Sequence, residues 1–98
     1  MSPTYESRPT FGRDYANLTP EQRKRFLAAV GEMVEDLRAG RPFRSGLRVK
    51  RVQGTSDLWE MTWAPDGRAT WQYGPPKRPG EPHVIWRRVG TDEVFRAP

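Results

Sequence analysis

The sequence predicts an α+β fold, with two N-terminal helices packed on one face of a mostly antiparallel sheet of about four strands. Two observations set this order. Up to Gly40 the apolar residues recur three or four positions apart, the spacing that lines one face of a helix; beyond it they alternate with polar ones, the spacing of a half-buried strand. Helical signals first and strand signals afterwards is the pattern of segregated layers, not of alternating βαβ units. A chain of 98 residues has material for one modest core. Residues 1–98 are therefore expected to form a single domain, with 1–9, "MSPTYESRP", extended or mobile for want of any apolar periodicity.

In "FGRDYANL", Phe11, Tyr15 and Leu18 fall on one edge of a short helix. "TPEQ" then starts a longer one: Thr19 caps it, Pro20 occupies the first turn where its missing N–H costs nothing, and Gln22 completes a capping box. The stripe Phe26, Val30, Met33 and Leu37, flanked by Leu27 and Val34, carries this helix to about Ala39, and Gly40 is placed to stop it. Gly31 inside it costs roughly 1 kcal/mol relative to alanine. "LRVKRVQG" alternates Leu47 and Val49 with Arg48 and Lys50 and reads as the first strand. "LWEMTWAPDGRATWQYG" reads as a hairpin: Trp59, Met61 and Trp63 share one face, Trp71 and Tyr73 return on it, and Pro65, Asp66 and Gly67 make the turn. "GPPKRPGEP" reads as an irregular loop carrying Lys77 and Arg78, and "PHVIWRRVG", apolar on both faces, as a central strand.

The chain has no cysteine and one histidine, His83, which argues against a disulfide framework and against a zinc site. It shows neither a signal peptide nor the ~20 apolar residues of a membrane helix, so a cytoplasmic protein is expected. Its net charge of +5 is unevenly placed. Residues 1–40 hold six basic and six acidic side chains, whereas residues 41–98 hold 11 basic against 6 acidic. The basic surface thus belongs to the strand-rich half, and an acidic partner such as nucleic acid suits it.

If the tryptophans face the helices, the opposite sheet face collects Arg48, Lys50, Glu60, Thr62, Thr70 and Gln72, with either His83 and Arg87 or Arg88 from the last strand. Cations, hydroxyls, a carboxylate and a histidine together make a surface suited to a phosphodiester, although a plain solvated sheet face has the same alternation. Trp71 and Trp86 could stack on bases, but core packing is the simpler expectation for both.

The succession "LRVKRVQG", "DLWEMTWAPDGRATWQYG" and "HVIWRRVGTDEVF" after two helices resembles the RelE/ParE superfamily of type II toxin–antitoxin toxins, over roughly residues 10–96. The matching signals are Leu47, Lys50 and Gly54 in the first strand, Trp59 and Glu60 in the second, Arg68 after the turn, and Arg87 to Gly90 before Asp92 to Phe95. The resemblance implies a toxin held by a cognate antitoxin, most often a ribosome-dependent endoribonuclease that cuts mRNA without a metal or cofactor and so inhibits translation. A gyrase-inhibiting branch shares the fold, and a non-catalytic nucleic-acid-binding module with the same basic face is the remaining reading.

Carried over by position, the resemblance implies that Arg48, Lys50 and Arg51 hold RNA, with Lys77 and Arg78 as further cations from the loop. Arg68 and Arg87 or Arg88 would stabilise charge on the phosphate. Attack of a 2′-hydroxyl on that phosphate needs a base, and Glu60 or His83 supplies it. The sequence departs from the pattern where many members have arginine at Thr62, tyrosine at Phe95, or histidine near Thr91 and Asp92. That leaves either His83 as a substitute or a weak or altered nuclease.

Overall fold

The structure, a computed structural model, describes residues 3–96. Met1 and Ser2, which begin the segment expected to be extended or mobile, lie outside the described residues, as do Ala97 and Pro98. In chain order the elements are β1 (Thr4–Ser7), α1 (Pro9–Ala16), α2 (Pro20–Ala39), a 3₁₀ turn (Ser45–Leu47), β2 (Lys50–Arg51), β3 (Leu58–Ala64), β4 (Gly67–Arg78), β5 (Glu81–Thr91) and α3 (Asp92–Arg96). The sheet order is β1-β5-β4-β3-β2, and every pairing is antiparallel except β1 with β5. This is the predicted α+β arrangement with one strand more than expected.

Local signals account for α2. Its capping box is complete: the Gln22 N–H donates to Thr19 Oγ1 at 3.1 Å and the Thr19 N–H donates to Gln22 Oε1 at 2.9 Å. Gly40 ends the helix at φ 66°, a left-handed geometry that glycine adopts without a Cβ penalty. The buried line along α2 is Phe26, Ala29, Met33 and Asp36, while Val30 and Leu37 are only half-buried and Leu27 is 54% exposed. Phe26 meets Trp63 and Trp86 edge-on, and Trp71 lies against Trp86 with centroids 5.7 Å apart. The helices thus cover the aromatic face, and Met61, Ala69, Trp71 and Val89 are fully buried beneath them.

Four features differ from expectation. Thr4–Ser7 is an edge strand, because its parallel pairing from Thr4↔His83 to Ser7↔Trp86 is a long-range contact that "TYES" does not announce. The first predicted strand shrinks to Lys50–Arg51, because Ser45–Leu47 winds into a 3₁₀ turn and Arg48 takes φ 49°. The Pro/Gly stretch is not an irregular loop: β4 and β5 extend through it to a turn after Arg78, and the pairs Gly74↔His83 and Arg78↔Glu81 bracket a shift in register. Pro75 and Pro76 sit inside that shift, where a missing N–H breaks no ladder bond. Finally, Asp92–Arg96 forms a short helix whose Val94 packs so close to Gly90 that a Cβ there would collide with it.

Candidate nucleic-acid interface

Residues paired across neighbouring strands point to the same side of a sheet. The register therefore lines up Lys50, Glu60, Thr70 and Arg88 as one row across β2, β3, β4 and β5 on the face away from α2. Thr62 and Arg68 form the next row, and Leu58, Gln72 and Ile85 the row on the other side. The register shifts between Thr70↔Arg88 and Trp71↔Trp86, leaving Arg87 as an extra residue in β5. This bulge brings both Arg87 and Arg88 to the open face: Arg87 donates to Gln72 Oε1, while Arg88 stands in the Glu60 row.

The side chains of these rows form a charged chain. Glu60 lies 3.4 Å from Arg68 Nη1 and 3.9 Å from Lys50 Nζ, and Arg68 Nε lies 3.1 Å from Asp92 Oδ1. Arg88 donates twice to Asp14 of α1, Nε to Oδ2 at 2.6 Å and Nη2 to Oδ1 at 3.2 Å. Asp14 also accepts the Val89 N–H at 3.2 Å, so α1 closes the edge of β5 where β1 has ended. The hydrogen-bonded Asp14 carboxylate raises the pKa of Arg88 above its ordinary value and holds its side chain in place. Asp92 and Glu6 join Glu60 on this face.

Several sequence candidates are placed elsewhere. His83 is buried near the other end of β5, between Thr4 Oγ1 at 2.7 Å and Glu6 Oε1 at 2.8 Å. It pairs with Gly74, four residues along β4 from Thr70, about 13 Å at a strand's rise. His83 therefore fastens β1 to the sheet and stands apart from the arginines. Its bond holds the Glu6 carboxyl below the usual range. Arg51 pairs with Trp59 and so points to the helix side, and Arg48 leaves the strand altogether at its left-handed backbone angle. Lys77 and Arg78 lie at the far hairpin tip, nine and ten residues along β4 from Arg68, roughly 30 Å away. Trp71 and Trp86 are core residues, out of reach of any base.

The structure adds carboxylates that the sequence gave no reason to single out. Besides Asp14, Asp36 in α2 accepts from Arg41 Nε at 2.8 Å, from Arg44 Nε at 3.1 Å and Nη2 at 3.0 Å, and from the Arg44 N–H at 3.0 Å. The Arg44 bonds hold its carboxyl far below the ordinary value. This clamp fixes residues 41–44, and with them the 3₁₀ turn that delivers Lys50 to β3.

No family profile matches the sequence, and no curated protein matches it either. Solved structures do. The RelB-RelE antitoxin–toxin complex from Methanococcus jannaschii aligns at a TM-score of 0.64, with 15% identity over 93% of this chain and 94% of that one. The Escherichia coli DinJ-YafQ toxin–antitoxin complex aligns at 0.64, with 13% identity over 97% of this chain and 98% of that one. This chain has the RelE-like fold. The RelBE2 complex from Mycobacterium tuberculosis is more similar in sequence, at 23% identity over 93% of this chain and 99% of that one, with a TM-score of 0.55. The RelE-like fold thus extends over nearly the whole chain, with little sequence in common.

Proposed function

We propose that this chain is the toxin of a toxin–antitoxin system, acting as a ribosome-dependent, metal-independent mRNA endoribonuclease that arrests translation in the cytoplasm. The observation that carries the reading is the row Lys50, Glu60, Thr70 and Arg88, with Arg68 and Arg87 beside it, on the sheet face away from α2. The solved complexes of RelE and YafQ support a cognate antitoxin as partner. Among the described residues no helix is long and apolar enough to cross a membrane.

The reaction removes one proton from the nucleophile and supplies one to the leaving oxygen, Glu60 afterwards giving its proton to solvent, and it needs no metal for its nucleophile. Glu60 takes the proton from a ribose 2′-hydroxyl, whose oxygen attacks the adjacent phosphorus. The bond to the 5′-oxygen breaks, leaving a 2′,3′-cyclic phosphate and a 5′-hydroxyl that takes its proton from solvent. Arg68 donates to the extra negative charge on the phosphorane, Arg88 in the Glu60 row faces the leaving side with Arg87 next to it, and Lys50 holds the backbone. Glu60 sits beside Lys50 and Arg68, at 3.9 and 3.4 Å, so the base and the cations that would hold the phosphate stand together.

One observation favours the second reading, a gyrase inhibitor that needs no chemistry. The cations of the central row already have carboxylate partners: Lys50 and Arg68 have Glu60, Arg68 also has Asp92, and Arg88 has Asp14. In vitro translation with mRNA ends mapped by primer extension separates the two. Cleavage within translated codons, with 5′-hydroxyl products, is expected; products with 5′-phosphates would sink the metal-free mechanism. Uncut mRNA together with inhibited supercoiling by gyrase would replace the nuclease by the second reading.

A further inference from the structure

The row of charges continues past Arg88 into a groove that no sequence signal marks. Where β1 gives way to α1, Arg8, Pro9 and Thr10 turn over the open face and, with Leu58, Thr70, Arg87 and Arg88, enclose about 390 Å³. Three guanidiniums thus line one concavity, with two threonines beside them and Leu58 and Pro9 as apolar walls. Their commitments differ. Arg88 is held by both oxygens of Asp14, and Arg87 spends one donor on Gln72. The Arg8 side chain makes no hydrogen bond or ion pair among the described residues, and Glu6 is a carboxylate that feels its charge. With Asp14 balancing Arg88, two positive charges remain to face whatever enters.

We infer that this groove is a phosphate-binding subsite for the RNA backbone, in which Arg8 and Arg87 hold one phosphate next to the one attacked beside Glu60. The inference rests on the nuclease reading and deepens it. Thr70 and Arg88 belong both to the groove and to the Glu60 row, and Arg88 lies two strands from Glu60, about 10 Å at ordinary strand spacing. A single strand of RNA crossing the sheet from Lys50 toward α1 meets the two positions in succession. Guanidinium forks suit phosphate oxygens, which accept two parallel N–H bonds. Apolar walls suit the sugar between phosphates. Contacts of this kind position a backbone without reading bases, so the subsite sets register and not sequence preference.

The test is binding of the full chain to a fluorescein-labelled, 2′-O-methylated oligoribonucleotide, which cannot be cleaved, by anisotropy over a range of salt. Arg8→Ala is expected to weaken binding roughly tenfold at low salt, the size of one hydrogen-bonded charge contact. It should also reduce the slope of log affinity against log salt by ~0.7, the value of one single-strand phosphate. Arg8→Lys should restore the slope. Arg87→Ala should give the same loss, and the double variant no larger a change in slope than either alone, because both arginines serve one phosphate. Arg8 is exposed, and unchanged thermal melts confirm that each variant is folded. Wild-type binding with Arg8→Ala indistinguishable from it overturns the subsite and leaves the nuclease standing. Additive slopes overturn the shared phosphate. A wild-type protein that does not bind the oligoribonucleotide at low salt overturns the subsite, while the ribosome-dependent nuclease stands or falls by cleavage during in vitro translation; weakened binding of Arg8→Ala to an acidic peptide instead would assign the groove to a protein partner.

Discussion

Asp36 and Glu60 are each a carboxylate between two cations, and the difference between them separates a structural anchor from a reactive candidate. The Asp36 side chain is 2% exposed and takes four hydrogen bonds of 2.8 to 3.1 Å, from Arg41 and from both the side chain and backbone of Arg44. Every oxygen is spoken for. The Glu60 side chain is 12% exposed, and its neighbours stand at 3.4 and 3.9 Å, leaving acceptor capacity open toward solvent. A buried carboxylate must be fully bonded to be tolerated, whereas a base must keep a lone pair free for the proton it removes.

The largest expected effect is a crossed pair of phenotypes. Glu60→Gln should lower RNA cleavage by roughly 10²–10⁴, the range for loss of a general base, while the melting temperature barely moves. Asp36→Asn should do the reverse, lowering the melting temperature by several degrees with cleavage per folded molecule preserved. Equal losses of stability in both variants would erase the distinction. Arg68→Ala follows, with cleavage reduced by about 10²–10³ if it donates to the developing charge; a rate within threefold of wild type would confine Arg68 to pairing with Glu60 and Asp92.

Acid sharpens the contrast further. The Asp36 carboxyl is held below its ordinary value of 3.8, so it favours the folded state above that value, and the contribution is lost as pH falls below about 4. Asp36→Asn should therefore flatten the acid limb of a stability-against-pH curve measured by urea melts, and an unchanged limb would show that other carboxylates govern it. The smallest effect on stability belongs to Lys50→Ala. Its exposed pairing with Glu60 is worth about 0–1 kcal/mol, and the substitution should instead weaken RNA binding uniformly across sequences, as an anisotropy series on several oligoribonucleotides would show.

Legibility followed the range of the interaction. The limits of α2 and its capping box were readable because Thr19, Pro20, Gln22 and Gly40 act within a few residues. The turn at Pro65 to Gly67 and the aromatic face of β3 and β4 were readable from alternation. On the open face Lys50, Glu60, Arg68, Arg87 and Arg88 did come together, although the parity of β5 was unreadable because a bulge at Arg87 resets it. Arg48, Arg51 and His83 were misplaced because each depends on a distant partner or an irregular backbone: a left-handed residue, a two-residue strand, and a β1 that joins only at the end. Asp14, Asp36 and Arg8 gave no local signal: Asp36 is held by Arg41 and Arg44, 5 and 8 positions on and past the helix end, Asp14 by Arg88, 74 positions on, and Arg8 meets Arg87 only across a groove.

The pairing of β1 with β5 also orders events in time. Thr4 and His83 stand 79 positions apart, so bringing them together is among the costliest loop closures in the chain, and nothing nearer in sequence can stand in for it. During synthesis, at about 5–20 residues per second, β1 leaves the ribosome before β5 and has no strand to join until residues 83–86 emerge. Arg8 follows β1 directly and Arg87 follows the β5 residues paired with it, so the basic groove cannot assemble before they emerge. The surface proposed to attack mRNA is thereby completed only after residues 83–88 have left the ribosome.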